Sequence, residues 1–286
     1  MFDLKNKNIV ISGGLGRIAL PMTIALLEKH ANVFVLTKNP LKHKDITKKL
    51  KKQFSKFNLI RCDISKIQSI KSAIKKIKCA PNVFLYSSVI RPVQKNKSEN
   101  ISKWRHSVND NATSLHISCS LFSELMKKNN GGSVIIVSSI YGIRAPDQNL
   151  YTGTKMFTES DYPFLKGGSI IYSNYMASKL GKYNIRFNAI APGPFPTKGA
   201  WSRLMPPGFD DFEDNMKNKI PMKRFGERHE LENLASYLMS DGSAYINGEV
   251  ITIDGGEWLA GAGEFSDLNK LPDSMWKAMA ERRKKK

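Results

Sequence analysis

Apolar residues in this chain come in short continuous runs separated by amphipathic stretches. The β-branched run "NKNIVIS" (6–12) leads into "GGLG" and then an apolar-periodic stretch from Arg17 to Glu28, which predicts strand, tight turn and helix. "NVFVLT" (32–37), "FNLIRC" (57–62), "NVFLYSS" (82–88) and "GSVIIVSS" (132–139) predict further strands. Between them, "DITKKLKKQF", "KIQSIKSAIKKI" (66–77) and the pattern over 101–129 predict helices. Strands that are apolar throughout and alternate with helices are buried on both faces. The expected fold is therefore α/β, a Rossmann-type doubly wound parallel sheet of about seven strands with helices on both faces. Two stretches break the alternation, 140–161 and the Pro/Gly-containing 192–226, and long loops in compact domains are usually functional. No repeat or low-complexity linker interrupts the pattern. The expected organisation is one domain over residues 1–260, with a polar C-terminal extension over 261–286.

Composition narrows the class. The chain has 286 residues, 41% hydrophobic and 24% charged, which is a globular balance. Its three cysteines (Cys62, Cys79, Cys119) form no C-x-x-C pair, and its five histidines show no ligand spacing. No disulfide framework or metal site is expected, and a reducing cytoplasm is the natural compartment. "NIVISGG" comes too early for a signal peptide, and no apolar run reaches the ~18 residues of a membrane helix. The formal net charge is +20, and the stretch from Lys38 to Lys78 carries 14 basic residues against Asp45 and Asp63. Such a surface attracts polyanions in general. The basic residues fall on the outer faces of predicted helices without interleaved aromatics. The expectation is a solvated basic surface with no specific nucleic-acid partner and no membrane partner.

Candidate chemistry begins at the first turn. Gly13, Gly14 and Gly16 follow the first strand directly, with Arg17 opening the helix. Glycines there permit positive φ and close backbone approach, and a helix N-terminus offers N–H groups to a pyrophosphate. Pro21 is unexpected inside that helix. The second strand ends in Thr37-Lys38, where an NAD site wants a carboxylate for the ribose 2′-OH. Lys38 suits a 2′-phosphate instead, which favours NADP(H), with NAD(H) as the alternative. Further on, Y-x-x-x-K occurs three times: Tyr151/Lys155, Tyr162/Lys166 and Tyr175/Lys179. Tyrosine and lysine four apart share one helix face, and an ammonium beside a phenol favours the phenolate, so such a pair can exchange protons near neutral pH.

The motifs "SGGLGRIA", "RCDIS", "WRHSVNDN", "VIIVSSIYG", a Y-x-x-x-K, "IRFNAIAPGPFPT" and "IPMKRFGERHELENLASYLMSDGSAYINGEVITIDGG" together resemble the short-chain dehydrogenase/reductase family over about residues 5–256. The resemblance implies hydride exchange between a nicotinamide and a small-molecule carbonyl or alcohol. It implies cofactor contacts at Ser12, Gly13, Gly14, Gly16, Arg17, Ile18, Thr37, Lys38, Asp63, Ile64, Ser87, Lys166, Pro192, Gly193, Phe195 and Thr197. It puts Asp63 at the adenine amine, Asn111 in a proton relay and Ser139 on the substrate oxygen. It also implies a homo-dimer or homo-tetramer.

Helix length then selects the tyrosine. The helix must span the sheet before "IRFNAIAPG". Tyr175 stands only ten residues before Ile185, and a helix from Tyr151 would have to run through Gly153, Pro163 and Gly167-Gly168. From Tyr162 there is room for about 18 residues, or ~27 Å, with Asp161 as N-cap and Pro163 in the first turn. The expected catalytic set is Asn111, Ser139, Tyr162 and Lys166, and Tyr141, Tyr151 and Trp201 are substrate candidates. The central part resembles a bacterial sugar- and flagellin-modifying subgroup. "GPFPTKGAWSRL" and "DGGEWLAGAGEFSDL" resemble 2,4-dienoyl-CoA reductases, in which a tyrosine at the position of Tyr141 is the acid. An enoyl-thioester reductase is thus the alternative activity, and a non-catalytic NADP-binding relative is a third. The family's N-N-A-G reads Tyr86-Ser87-Ser88-Val89 here, which implies a reshaped site.

Overall fold

The structure is a computed structural model that describes residues 2–90, 100–148, 158–196, 212–259 and 272–284. Seven strands, β1 (Asn8–Ser12), β2 (Asn32–Thr37), β3 (Phe57–Arg61), β4 (Val83–Tyr86), β5 (Gly132–Val137), β6 (Ile185–Pro192) and β7 (Val250–Ile253), form one parallel sheet in the order β3-β2-β1-β4-β5-β6-β7. The order reverses between β1 and β4, so a crevice opens outside the carboxyl ends of these strands. Helices α1 (Ala19–Glu28), α2 (Lys44–Gln53) and α7 (Arg228–Met239) cover one face. The other carries α3 (Ile67–Lys76), α4 (Ile101–Lys127) and α5 (Asp161–Leu180). A short α6 (Phe212–Asn218) follows β6, and α8 (Asp273–Lys284) lies within the C-terminal extension.

The apolar runs form strands because both sides of each are buried. Ile9 and Ile11 face the α1/α7 layer and Val10 the α4/α5 layer; Val33 and Val35 alternate likewise with Phe34 and Leu36. Phe84 stacks on Phe122 of α4 with ring centroids 4.4 Å apart.

Two helix starts differ from the sequence expectation. Helix α1 begins at Ala19, not Arg17, so Pro21 lies in the first turn, where a backbone N–H would have no intrahelical partner. This accounts for a proline that looked misplaced. At α5 the cap position is Ser160, which makes no side-chain cap bond, and Asp161 is the first helical residue. The Asp161 carboxylate instead accepts a hydrogen bond from Ser107 of α4, tying the two helices together.

Tyr86 ends β4 inside the core, 5% exposed and edge-on to Phe84, and its hydroxyl has no hydrogen-bond partner. Burial pushes this phenol well above its ordinary pKa, so it stays neutral. An unpaired buried hydroxyl destabilises the fold. Tyr86→Phe should therefore raise stability by about 1 kcal/mol in a denaturant melt. A loss of stability would show that the hydroxyl is paired in solution.

Candidate active site

The cofactor end is built around close backbone contacts. Gly13 takes φ +71°, and a Cβ there would lie 2.9 Å from both the Ser87 carbonyl oxygen and Ser88 Oγ. A Cβ on Gly14 would meet Ile11 Cγ2 and Val35 Cγ2 at 3.0 Å. The Gly16 N–H closes the turn on the Gly13 carbonyl at 2.8 Å, and the Ser87 N–H donates to the Ser12 carbonyl at 3.1 Å. Ser12 Oγ is buried without a partner. The turn is a bare-backbone cradle that side chains would fill, at the start of α1, where the first N–H groups of a helix point outward. Arg17 and Ile18 form the step from turn to helix, with Ile18 at the cap position in helical conformation.

At the end of β2, half-buried Thr37 is followed by Lys38, whose ammonium lies 3.0 Å from the Asp63 carboxylate. Burial works to raise the Asp63 pKa. Hydrogen bonds from Ser65 and the contact with Lys38 outweigh it and hold the carboxyl below its usual range. Ile64 is 8% exposed and belongs to the core. Asp63 and Lys38 thus lie at the carboxyl ends of adjacent strands, on the same rim as the glycine turn. These residues fit a dinucleotide.

The candidate catalytic residues converge from β5, α4 and α5. Ser139 follows β5, is 7% exposed, and its Oγ accepts the Tyr141 N–H at 3.2 Å in a short 3-10 turn over Ile140–Gly142. That turn rides on α5. A Cβ on Gly142 would be 2.7 Å from the Lys166 carbonyl carbon and 2.8 Å from its oxygen. Ser138 Oγ and Ser169 Oγ both donate to the Lys166 carbonyl, at 2.9 and 2.8 Å. Lys166 Nζ donates to the Val137 carbonyl at 2.8 Å and lies 5.7 Å from the Tyr162 ring centroid. The Tyr141 and Tyr162 rings meet edge to face at 6.4 Å. The second pair has the same internal geometry, Lys179 lying 5.7 Å from the Tyr175 ring, but Tyr175 is 60% exposed on the outside of α5. Location, not pair geometry, separates Tyr162 from Tyr175.

Asn111 is buried in α4. Its Oδ1 accepts the Ile90 N–H, and its Nδ2 donates to the carbonyls of Ile90 and Ser107, each at 2.8 Å. The amide hydrogens are both used, so this side chain clamps the segment that follows β4. A cavity of about 290 Å³ lies between α4 and α5, lined by Val89, Asn111, Leu115, Tyr162, Lys166 and Tyr172 among others.

After β6, Pro192 pairs with Ile253 in the sheet, and the Gly193 N–H donates to the Ile253 carbonyl at 3.0 Å. A Cβ on Gly193 would fall 2.6 Å from Asp254 Cβ, so the close approach requires glycine. Half-buried Phe195 packs onto the core. Tyr151, Thr197 and Trp201 lie outside the described residues. Sequence reading missed Ser138, Gly142 and Ser169 as the residues that fix the Ser139 turn to α5. Their signal is small residues at the contact, visible only once the partners are known. Among the described residues no cluster could hold a metal ion, and no helix is long and apolar enough to cross a membrane.

A family model described as enoyl-(acyl carrier protein) reductase matches residues 16–257. The chain belongs to this family of short-chain dehydrogenases/reductases, NAD(P)-dependent oxidoreductases. It is 28% identical over 264 residues to the 3-oxoacyl-[acyl-carrier-protein] reductase FabG of Chlamydia trachomatis, covering 88% of this chain and 98% of that one. Shorter matches reach two Caenorhabditis elegans proteins. One is an uncharacterized oxidoreductase, 33% identical, matched over 50% of this chain and 42% of its own length. The other is named "Probable 2,4-dienoyl-CoA reductase 3", 38% identical, matched over 36% of each chain. The matched stretches thus span less than half the length of these two. Among solved structures, a gluconate 5-dehydrogenase from Burkholderia cenocepacia, in complex with NADP and tartrate, superposes with TM-score 0.76 at 20% identity, covering 91% of this chain and 98% of that one. A short-chain dehydrogenase from Leptospira borgpetersenii with bound NAD+ gives 0.73 at 23%, covering 90% and 94%. At these identities the superpositions speak for the fold.

The Gly142 contact gives a direct test of how the site is held. Gly142→Ala should cost about 1–3 kcal/mol in a denaturant melt, because the methyl group must displace the α5 backbone or the Ser139 turn. An unchanged melt would mean that the two are not packed this closely.

Proposed function

We propose that the protein transfers a hydride between NADP(H) and a small carbonyl or alcohol substrate, with Tyr162 as the proton donor and acceptor. The observation that carries this reading is the stack of Tyr141, Tyr162 and Lys166 beside Ser139 at the carboxyl edge of β5. When bound, the nicotinamide supplies or takes the hydride. Ser139 Oγ holds the substrate oxygen. Tyr162 gives that oxygen a proton during reduction and takes it back during oxidation. Lys166 keeps its ammonium beside the Tyr162 ring. It also offers N–H groups for ribose hydroxyls. Asn111 positions the chain at Ile90. Gly13, Gly14 and Gly16 would receive the pyrophosphate and Asp63 the adenine, and the absence of an acid after β2 favours NADP(H) over NAD(H). A polyhydroxylated, sugar-like substrate is the preferred class.

The second reading is reduction of an enoyl or dienoyl thioester with Tyr141 as the acid. The edge-to-face contact of Tyr141 with Tyr162 and the local likeness to dienoyl-CoA reductases support it. Cofactor oxidation across sugars, ketones and enoyl thioesters separates the two. Tyr162→Phe should lower turnover at least ~100-fold while cofactor affinity stays within about twofold. Lys166→Ala should damage both. If Tyr162→Phe stays active on a thioester and Tyr141→Phe does not, the thioester reading replaces the first.

The outer face of α5 exposes Phe164, Ile171 and Tyr175, seven and four residues apart and therefore on one side of the helix. We assign this face to contact with another copy of the chain, in a homo-dimer or homo-tetramer. Ile171→Glu should shift the mass measured by light scattering to that of the monomer with an unchanged circular dichroism spectrum. A wild-type monomer would remove the assignment.

A further inference from the structure

The charge of the chain is concentrated where the cofactor would enter. Five cations stand around the carboxyl ends of β2 and β3: Lys38, Lys42 and Lys44 after β2, Arg61 closing β3, and Lys66 before α3. All five are exposed. The acids nearby in sequence are Asp45 in the first turn of α2 and Asp63. Asp63 is already committed, since its carboxylate is 3.0 Å from Lys38 and accepts the Ser65 N–H at 3.2 Å and its hydroxyl at 2.7 Å. Among the described residues this is the single salt bridge on the rim. Behind the rim, α2 and α3 add exposed Lys48, Lys49, Lys51, Lys52, Lys71, Lys75 and Lys76. His43 reports the local field: burial first, then the charge of Lys42, lowers its pKa.

Lys38 was the obvious contact for a 2′-phosphate, yet it spends its charge on Asp63. Resting on the NADP(H) assignment above, we propose that the basic rim formed by Lys42, Lys44, Arg61 and Lys66 captures phosphorylated dinucleotides at long range, and that preference for the 2′-phosphate arises in the rate of association rather than in one contact at Lys38. The physical basis is simple. A phosphomonoester adds about −1.5 to −2 charges at pH 7. NADPH is therefore about twice as anionic as NADH, and its attraction to a fixed positive field is correspondingly larger. Exposed charges act over ~30 Å at 0.01 M salt and only ~10 Å at 0.1 M. Fields of this kind raise association rates by ~10- to 1,000-fold.

Stopped-flow measurement of nicotinamide fluorescence on mixing with NADPH or NADH gives the association and dissociation rates separately, without any substrate. The association rate of NADPH should fall ~10-fold between 0.02 and 0.3 M sodium chloride, and that of NADH by clearly less. The combined substitution Lys42→Gln, Lys44→Gln, Arg61→Gln, Lys66→Gln should slow NADPH association several-fold at low salt and leave its dissociation rate unchanged. The same number of substitutions at Lys49, Lys52, Lys71 and Lys75 has equal charge, lies farther from the rim, and should have a smaller effect. Lys38→Gln should act mainly on dissociation. An NADPH association rate insensitive to salt, or a rim variant whose whole effect lies in dissociation, would overturn the proposal. If neither nucleotide binds, the cofactor assignment itself falls, and this inference with it.

Discussion

The site depends on one close contact, the packing of the Ser139 turn against the backbone of α5 at Gly142. There the carbonyl of Lys166 lies where any side chain on residue 142 would have to go. The same carbonyl receives Ser138 and Ser169. Three small residues therefore fix the distance between the end of β5 and the second turn of α5. The candidate catalytic side chains hang from those two elements, Ser139 and Tyr141 from one, Tyr162 and Lys166 from the other. A glycine at 167 in mid-helix, unfavourable for an isolated helix, is understandable at this junction, since a Cβ there would lie 3.3 Å from the Gly142 carbonyl oxygen.

Beside the apolar packing of α4 and α5, polar clamps hold the remaining walls. Asn111 holds Ile90, Ser107 holds Asp161, and Gly193 is bonded to Ile253. Arg144, on the Ser139 side, donates to the carbonyls of Glu257 and Trp258 at 2.9 and 3.3 Å and so joins the turn after β5 to the turn after β7. Side-chain bonds to backbone keep loops in register without large apolar area.

Much of the fold was legible in the sequence because burial on both sides leaves a strong mark. The first five strands appear as apolar runs within a residue or two of their observed ends. The sixth is readable from "IRFNAIAPG", and the turn glycines are placed by position alone. The extent of the helix that carries Tyr162/Lys166 and Tyr175/Lys179 was also legible, from the length of chain before β6. What was hidden is tertiary. Pro21 falls in the first turn because α1 starts at Ala19, two residues later than the apolar pattern predicts. The pairing of Lys38 with Asp63 joins residues 25 apart in sequence, and no local pattern announces it. The roles of Ser138, Gly142 and Ser169 exist only between elements.

The central claim is that Ser139, Tyr162 and Lys166 form one centre on the rigid β5–α5 junction, with Tyr141 beside it. A crystal structure of the protein with bound NADP(H) tests it most directly. The account requires Lys166 Nζ within about 3 Å of a nicotinamide-ribose hydroxyl, and the hydroxyls of Ser139 and Tyr162 facing one point beside the nicotinamide ring. A structure with Tyr141 at that point and Tyr162 turned away, or with the ribose remote from Lys166, would contradict it.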